Sequence, residues 1–518
     1  MKFSSLFELF ALMACTATAF NVQENVVHLE FSIQRTGIDE HPLKHEYRSN
    51  HLKRSSSGYI QLPITQQPVQ YLATIELGTP AQTLNVVIDT GSSDLWVIEA
   101  GNPYCLGAIG DIQTAQQVNC NSTSFFNQTQ SSSFVYNSTS FDIVPIFDGD
   151  TFAKGLYAQD DLKIGGSVVN MINFGVANAT NSSTPVFGVG PTYGQASIQT
   201  VNQNGTLTPA YTSIIDSMVS QGLIQSAAFS FWLNRSQGIG NILFGGVDQS
   251  KYTGDLISMP IIVNSLGKAS VNQVQLTGLA ISIANQTTPI ASGGVPVVLD
   301  SSVPFTYLPT EWVHALGTAL GGFYSHDLGM YVVSCGDMNH NDNISFGLAG
   351  NNFSEILADL LVPLLNHDRY EIYDNSGENP ICALGVVDAG PYNANNTYVL
   401  GYSFLNGVYV VYDYDNAEIA VATANLSSTE SIVPISSGIP SAIPASLYNM
   451  TTFVSDFSTI TSLASGATSL NITSDIFSTD TLMGIAPSQT FMVGSESNGA
   501  RKIDMFAGIG FYLFNMLL

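Results

Sequence analysis

Two short segments carry the residue types best suited to chemistry. Asp89-Thr90-Gly91-Ser92 follows the apolar run Val86-Val87-Ile88, and Asp300-Ser301-Ser302 follows Val297-Val298-Leu299. Taken singly, such a segment is a turn in which Asp bonds the backbone and Gly supplies a positive φ. Taken as a pair, the two segments offer two carboxylates. Side by side these cannot both ionise cheaply, so they share one proton and titrate together. The ionised member can accept a proton from water while the protonated member polarises a carbonyl, which is general acid–base hydrolysis without a covalent intermediate. Such chemistry calls for an acidic or mildly acidic medium, in which one proton stays on the pair.

The elements that must bring the pair together are legible as a repeat. Val186-Phe187-Gly188 lies downstream of the first Asp and Val399-Leu400-Gly401 downstream of the second. Asp89 to Gly188 spans 99 positions and Asp300 to Gly401 spans 101. Two halves of similar length and pattern imply a duplicated domain with a pseudo-two-fold axis, each half placing one carboxylate at the end of a buried strand. Residues 59–426 are dense in Val, Ile, Phe and Tyr with regular Gly punctuation and little helical periodicity, so the architecture is mainly β. Short helices are expected at 211–220, 310–320 and 353–361, the last closed by Pro363.

Asp89-Thr90-Gly91-Ser92-Ser93-Asp94-Leu95-Trp96-Val97 resembles the first active-site segment of the pepsin-like aspartic proteases. Residues 71–78 with Thr79-Pro80 resemble the strand before it. Leu243-Phe244-Gly245-Gly246-Val247-Asp248, with Lys251-Tyr252-Thr253-Gly254, is similar to the stretch entering the second lobe. Leu400-Gly401-Tyr402-Ser403-Phe404-Leu405, with 408–413, resembles the closing strands. The resemblance covers about residues 68–425. It implies an all-β, bilobal pepsin-like fold of two β domains with a few short helices, and an aspartic endopeptidase in which Asp89 and Asp300 activate water. It also implies that Thr90 and Ser301 bond across the axis, that Ser92 bonds the outer oxygen of Asp89, and that Gly91 and Ser302 complete the two loops. Polypeptide substrates would lie extended in the cleft between lobes, paired with strand edges and a flap. A monomer without cofactor is expected. The layout of the whole chain resembles the fungal yapsins and GPI-anchored candidapepsins, which implies cleavage near basic residues.

The sequence departs from the family pattern at three places. Ser302 stands where a Gly is usual, which costs backbone freedom and narrows the approach to the dyad. Val303 removes a hydroxyl expected on the outer oxygen of Asp300, and losing a hydrogen bond to the charged form raises a carboxylate's pKa. Residues 147–155 fit the flap hairpin, with Phe147 in place of its tyrosine; the ring remains, but no hydroxyl is left to bond Trp96 or a water. These departures motivate a rival reading, a pepsin-fold peptide-binding or cell-wall protein with impaired catalysis.

The ends of the chain read as addresses. Residues 1–19 combine Lys2, an apolar run and Ala17-Thr18-Ala19, the pattern of a secretory signal peptide. Residues 20–54 read as a propeptide closed by Lys53-Arg54, followed by lobes at 55–240 and 241–426. Residues 427–498 are rich in Ser and Thr and read as a disordered, glycosylated stalk. Small residues at Asn498, a short spacer and the apolar 505–518 are the ingredients of a GPI-attachment signal, with 499–518 removed and Ser495 and Ser497 as rival attachment points. The expected location is the cell surface, on the plasma membrane or wall.

Composition agrees with export and excludes several function classes. The formal net charge is −26, and six of the 14 Lys and Arg lie in the first 54 residues. No nucleic-acid partner is expected of so acidic a chain. Cys15 leaves with the signal; Cys105, Cys120, Cys335 and Cys382 allow three pairings. The local one, Cys105 with Cys120 and Cys335 with Cys382, closes short loops and is also what the resemblance implies. No metal site is expected: Cys-x-x-Cys is lacking, the eight His show no ligand spacing, and a calcium-like run from Asp337 fails at Asp342 and Leu348. Gly245-Gly246 lacks the Lys of a phosphate-binding loop. Fourteen Asn-x-Ser/Thr sequons, at Asn121, Asn127, Asn137, Asn178, Asn181, Asn204, Asn234, Asn285, Asn343, Asn352, Asn395, Asn425, Asn449 and Asn471, are candidate glycosylation sites.

Overall fold

The computed structural model describes residues 27–34, 60–61 and 70–445, except 106–117, 119, 121–122, 144–151, 197–199, 202–206, 209–210, 235–237, 265, 327, 337, 339–340, 367–370, 391–397 and 428. The chain is mainly β, as its β-branched and aromatic runs predict. The strand Gln82–Asp89 shows how sequence becomes placement. Thr83 and Asn85 face outward while Leu84 and Val86 face inward, and from Val86 onward every residue is covered. The apolar run thus carries Asp89 into the interior, where a charged side chain would otherwise not go. Gln286–Leu299 ends the same way, with Val297, Val298 and Leu299 buried and Asp300 next in the chain.

One sheet of fifteen strands runs through much of the molecule. Its middle is the series Ala228–Asn234, Ile239–Phe244, Val27–Gln34, Gln70–Leu77 and Gln82–Asp89. At one end Gln70–Leu77 also pairs with Ala153–Ile164, folding the sheet back on itself around the first Asp strand. A second sheet, of seven strands, holds Gln286–Leu299 between Gln273–Ile283 and Tyr398–Leu400. The main core is continuous between the two, with Ile88, Phe187 and Phe231 in the same apolar cluster as Leu299, Leu308 and Phe404. The disulfides join Cys105 to Cys120 and Cys335 to Cys382, the local pairing. The shorter loop spans 15 residues, a closure that stabilises by about 3 kcal/mol through the unfolded chain.

The structure differs from the sequence expectations in three elements. The helix expected at 353–361 is instead the strand Asn351–Ile356 followed by a single turn, Leu357–Leu360. Apolar residues at 353, 357, 360 and 361 imitate a helical stripe, but Phe353 and Glu355 face inward and Asn352 and Ser354 outward, and the segment pairs in register with Asn343–Leu348. The other two expected helices are present as Ile214–Ser220, capped by the Ser213 hydroxyl, and Thr310–Ala319. Val27–Gln34, inside the expected propeptide, is a strand paired on both sides, with Ile239–Phe244 and with Gln70–Leu77.

The third difference concerns the expected stalk, whose first part is folded. Ile432–Pro434 pairs with Gly246–Asp248, and Ala442–Pro444 pairs with Tyr252–Pro260. Ile435 and Ile439 are buried in a cluster with Trp232, Val247 and Tyr409. Lys251 lies over the Trp232 ring and donates to the Ser427 carbonyl at 2.8 Å. Two isoleucines among Ser and Pro carry no period, so composition gave no sign of this strap. The sheet edge and apolar patch that receive it come from residues far away in the chain. The signal segment, Lys53-Arg54 and residues 446–518, including Asn498, lie outside the described residues.

Candidate active site

Each Asp is fixed by the strand its repeat supplies. Val186–Gly188 runs parallel to Gln82–Asp89 with Gly188 opposite Asp89, and Tyr398–Leu400 runs parallel to Gln286–Leu299 with Leu400 opposite Leu299. The Val189 N–H donates to the Asp89 carbonyl at 2.8 Å, and the Asp300 N–H donates to the Leu400 carbonyl at 3.1 Å. Both repeat glycines are required by close approach. A Cβ on Gly188 would lie 2.6 Å from the Asp94 nitrogen, and one on Gly401 would lie 2.2 Å from the Phe305 oxygen.

The two loops then lock onto each other. The Thr90 hydroxyl donates to the Leu299 carbonyl at 2.8 Å and accepts from the Ser301 N–H at 2.9 Å. Reciprocally, the Ser301 hydroxyl donates to the Ile88 carbonyl at 2.7 Å and accepts from the Thr90 N–H at 3.1 Å. All four bonds are buried, where a lost partner is costly. They set Asp89 and Asp300 side by side, both buried and close enough for each carboxyl to act on the other's protonation.

The carboxyls are held unequally. Asp89 accepts from the N–H groups of Gly91 (2.7 Å) and Ser92 (3.1 Å) on Oδ1, and from the Ser92 hydroxyl (2.5 Å) on Oδ2. Asp300 accepts from the Ser302 N–H (2.8 Å) and the Ser302 hydroxyl (2.7 Å), both on Oδ1. Burial raises both carboxyls above the ordinary range. The charge of Asp89 adds to this at Asp300, which lies well above it.

Ser302 behaves differently from the sequence expectation. Its φ is not left-handed, so replacing Gly brings no backbone strain there. Its hydroxyl binds Asp300 directly, opposing the rise in pKa expected from Val303. Val303 is buried in an apolar cluster with Phe305 and Val399. Gly91 packs against the other carboxyl: a Cβ there would lie 2.3 Å from Asp300 Oδ2.

Three residues that motif reading passed over support the site. The Asn272 amide donates to the Thr90 carbonyl at 2.7 Å and to the Tyr414 hydroxyl at 3.0 Å, and that hydroxyl donates to the Val189 carbonyl at 2.6 Å. Asp94 is buried and accepts from the hydroxyls of Tyr157 (2.8 Å) and Tyr211 and from the Ala196 N–H (2.7 Å). Burial raises the Asp94 carboxyl, and those three donors oppose the rise. Asp94 ties the Asp89 loop to the strand Ala153–Ile164 and to the segments on either side of 197–210. An Asp five positions after the first could have been flagged; its partners, up to 117 positions away, could not.

Other expected site residues fall as follows. Trp96 is buried in a cluster with Phe141, Ile143 and Tyr157, under the turn-proximal part of the hairpin formed by Val135–Ile143 and Ala153–Ile164, so it supports the hairpin from within. Phe147 lies outside the described residues. Among the sequons, Asn178, Asn285 and Asn352 are exposed, while Asn127, Asn137, Asn181, Asn343 and Asn425 are partly covered. Asn234 is buried, 2% exposed, at the end of the strand Ala228–Asn234. Asn121, Asn204, Asn395, Asn449 and Asn471 lie outside the described residues.

Comparison with known proteins agrees with this geometry. Residues 70–424 match the family described as eukaryotic aspartyl protease. The chain belongs to that family. It is 31% identical to the aspartic proteinase MKC7 of Saccharomyces cerevisiae, over 90% of this chain and 85% of the relative. It is 33% identical to the aspartic proteinase yapsin-3 of the same yeast, over 77% and 75%. It is 36% identical to a probable aspartic-type endopeptidase, opsB, of Aspergillus fumigatus, over 72% and 73%. The protein is an aspartic-type endopeptidase, and its substrates are peptides.

Proposed function

We propose that this protease hydrolyses peptide bonds at the cell surface by a dyad of Asp89 and Asp300, in acid. The observation that carries this reading is the pair of buried, neighbouring carboxyls held by reciprocal Thr90 and Ser301 bonds. Asp89, with three donors, is suited to be ionised and to take a proton from an attacking water. Asp300 is suited to give its proton to the scissile carbonyl oxygen as the new C–O bond forms. The resulting diol collapses when one of its hydroxyls returns a proton to a carboxylate and the other carboxyl protonates the amide nitrogen, breaking the C–N bond. No charge beyond the pair's single negative charge accumulates in the low-dielectric interior.

The substrate lies extended between the lobes, where strand edges pair with its backbone. A preference for basic residues accords with the net charge of −26. The signal-like start, the Ser/Thr-rich stretch and the GPI-like end support export, a propeptide ending at Lys53-Arg54 and anchorage through Asn498. The protein acts as a monomer. The test is peptide hydrolysis by the acid-activated full chain from pH 3 to 7, with and without pepstatin and beside Asp89→Asn. Pepstatin-sensitive turnover lost in Asp89→Asn is expected. Folded protein that binds pepstatin but turns over nothing at any pH would remove the proposed chemistry.

A further inference from the structure

The two Asp loops place their hydroxyls at different positions. The first reads Asp89-Thr90-Gly91-Ser92, with a hydroxyl three residues after Asp; the second reads Asp300-Ser301-Ser302-Val303, with a hydroxyl two residues after. The side chain at the third position of the second loop, Val303, is fully buried and has nothing to donate. The hydroxyl one place earlier reaches the carboxyl instead, at 2.7 Å from Oδ1. As a result Ser302 puts two donors on one oxygen of Asp300, whereas the donors to Asp89 are spread over both.

We propose that Ser302 is a positioning residue for Asp300: its hydroxyl replaces the one absent at position 303 and, by occupying Oδ1, leaves Oδ2 as the seat of the proton shared by the dyad. This rests on the dyad proposed above. A carboxyl protonates on the oxygen with fewer donors, because each donor stabilises negative charge on the oxygen it meets. Oδ2 is also the oxygen packed against Gly91, where any side chain would displace it. The exchange of hydroxyl position therefore fixes both the rotamer of Asp300 and the face from which it gives its proton. Ser fits at 302 because its φ lies outside the left-handed region.

Among the described residues, few titratable groups face Asp300. Asp89 faces it from the first loop, and the phenols of Tyr307 and Tyr412 feel its charge from the strands Thr306–Leu308 and Val408–Asp413. Burial pushes both phenols far up, so they remain neutral throughout the acid range. The alkaline limb of the pH profile thus reports loss of the proton from the dyad itself.

The experiment is the pH profile of kcat/KM for the acid-activated full chain and three variants. Ser302→Ala removes a hydrogen bond to the charged form, so its alkaline limb moves up by about one pH unit. Ser302→Thr keeps the hydroxyl and leaves the limb in place. Ser302→Gly with Val303→Thr restores a hydroxyl at the third position and brings the limb back towards the parent. Should Ser302→Ala turn over too slowly to profile, the pH dependence of its pepstatin binding reads the same protonation. A Ser302→Ala profile superimposable on the parent, with parent turnover normal, overturns the role of Ser302 and leaves the dyad standing. A parent that turns over at no pH overturns both.

Discussion

Replacing Thr90 with Val tests whether the lock between the loops holds the lobes together. Val keeps the shape of the side chain and deletes its hydroxyl. Two groups of the second loop then lose their partner, the Leu299 carbonyl and the Ser301 N–H. Thr90 is 0% exposed, so water cannot take the place of the hydroxyl. Each orphaned buried group costs about 1–3 kcal/mol, which makes about 2–6 kcal/mol for the pair. That is a large part of the roughly 5–15 kcal/mol by which a folded domain is stable. Thr90→Ser is the control: both bonds survive and one methyl is lost, costing about 1 kcal/mol. Urea unfolding can be followed by tryptophan fluorescence, since Trp96, Trp232 and Trp312 are all buried. The Val variant is expected to unfold at clearly lower urea than the Ser variant and to lose most of its kcat, because Asp89 and Asp300 lose their common frame. Coincident midpoints and equal kcat for the two variants would refute the reasoning.

Three further outcomes follow from the structure. Gly401→Ala forces a Cβ to 2.2 Å from one backbone oxygen and 2.5 Å from another, so the yield of folded protein should collapse, whereas Gly438→Ala, with open space around it, should fold in normal yield. Stability should rise as pH falls from 7 towards about 4. The buried carboxyls of Asp89, Asp94 and Asp300 have raised pKa values, so between the unfolded and folded values the native state holds more protons and gains from acid. A melting temperature that falls steadily over that range would contradict it. Ending the chain after residue 426 removes Ile435 and Ile439 from their cluster, an expected loss of about 3–6 kcal/mol from burial alone, while ending it after residue 445 should leave the melting temperature unchanged. Equal melting temperatures for the two truncations would show that the strap adds nothing.

Much of the site was legible in the sequence because its chemistry is local. An apolar run, an Asp, a hydroxyl and a small residue sit within a few positions, and the interval to a glycine repeats. The disulfide pairing was legible for a similar reason, since short loops are the cheapest to close. Asn272, Tyr414 and Asp94 were not legible as a set. Each is an ordinary residue whose role comes from partners on other strands, and pattern reading has no access to cross-strand neighbours. The strand at Asn351–Ile356 shows the same limit, because a helical stripe was overruled by register with Asn343–Leu348.

Period, repeat and turn chemistry are properties of neighbouring residues, and they suffice to read this chain as a duplicated β protein with one carboxylate per half. How those carboxylates differ depends on contacts made once the chain is folded. Whether a hydroxyl reaches an oxygen depends on backbone direction and on which atoms it meets within 3 Å or so, a length over which hydrogen bonds rise and fail. Ser302 looked like an obstruction in the sequence, and its place beside Oδ1 of Asp300 makes it a support. The strap at 432–445 likewise looked like stalk, because burial belongs to the surface that receives a residue as much as to the residue itself.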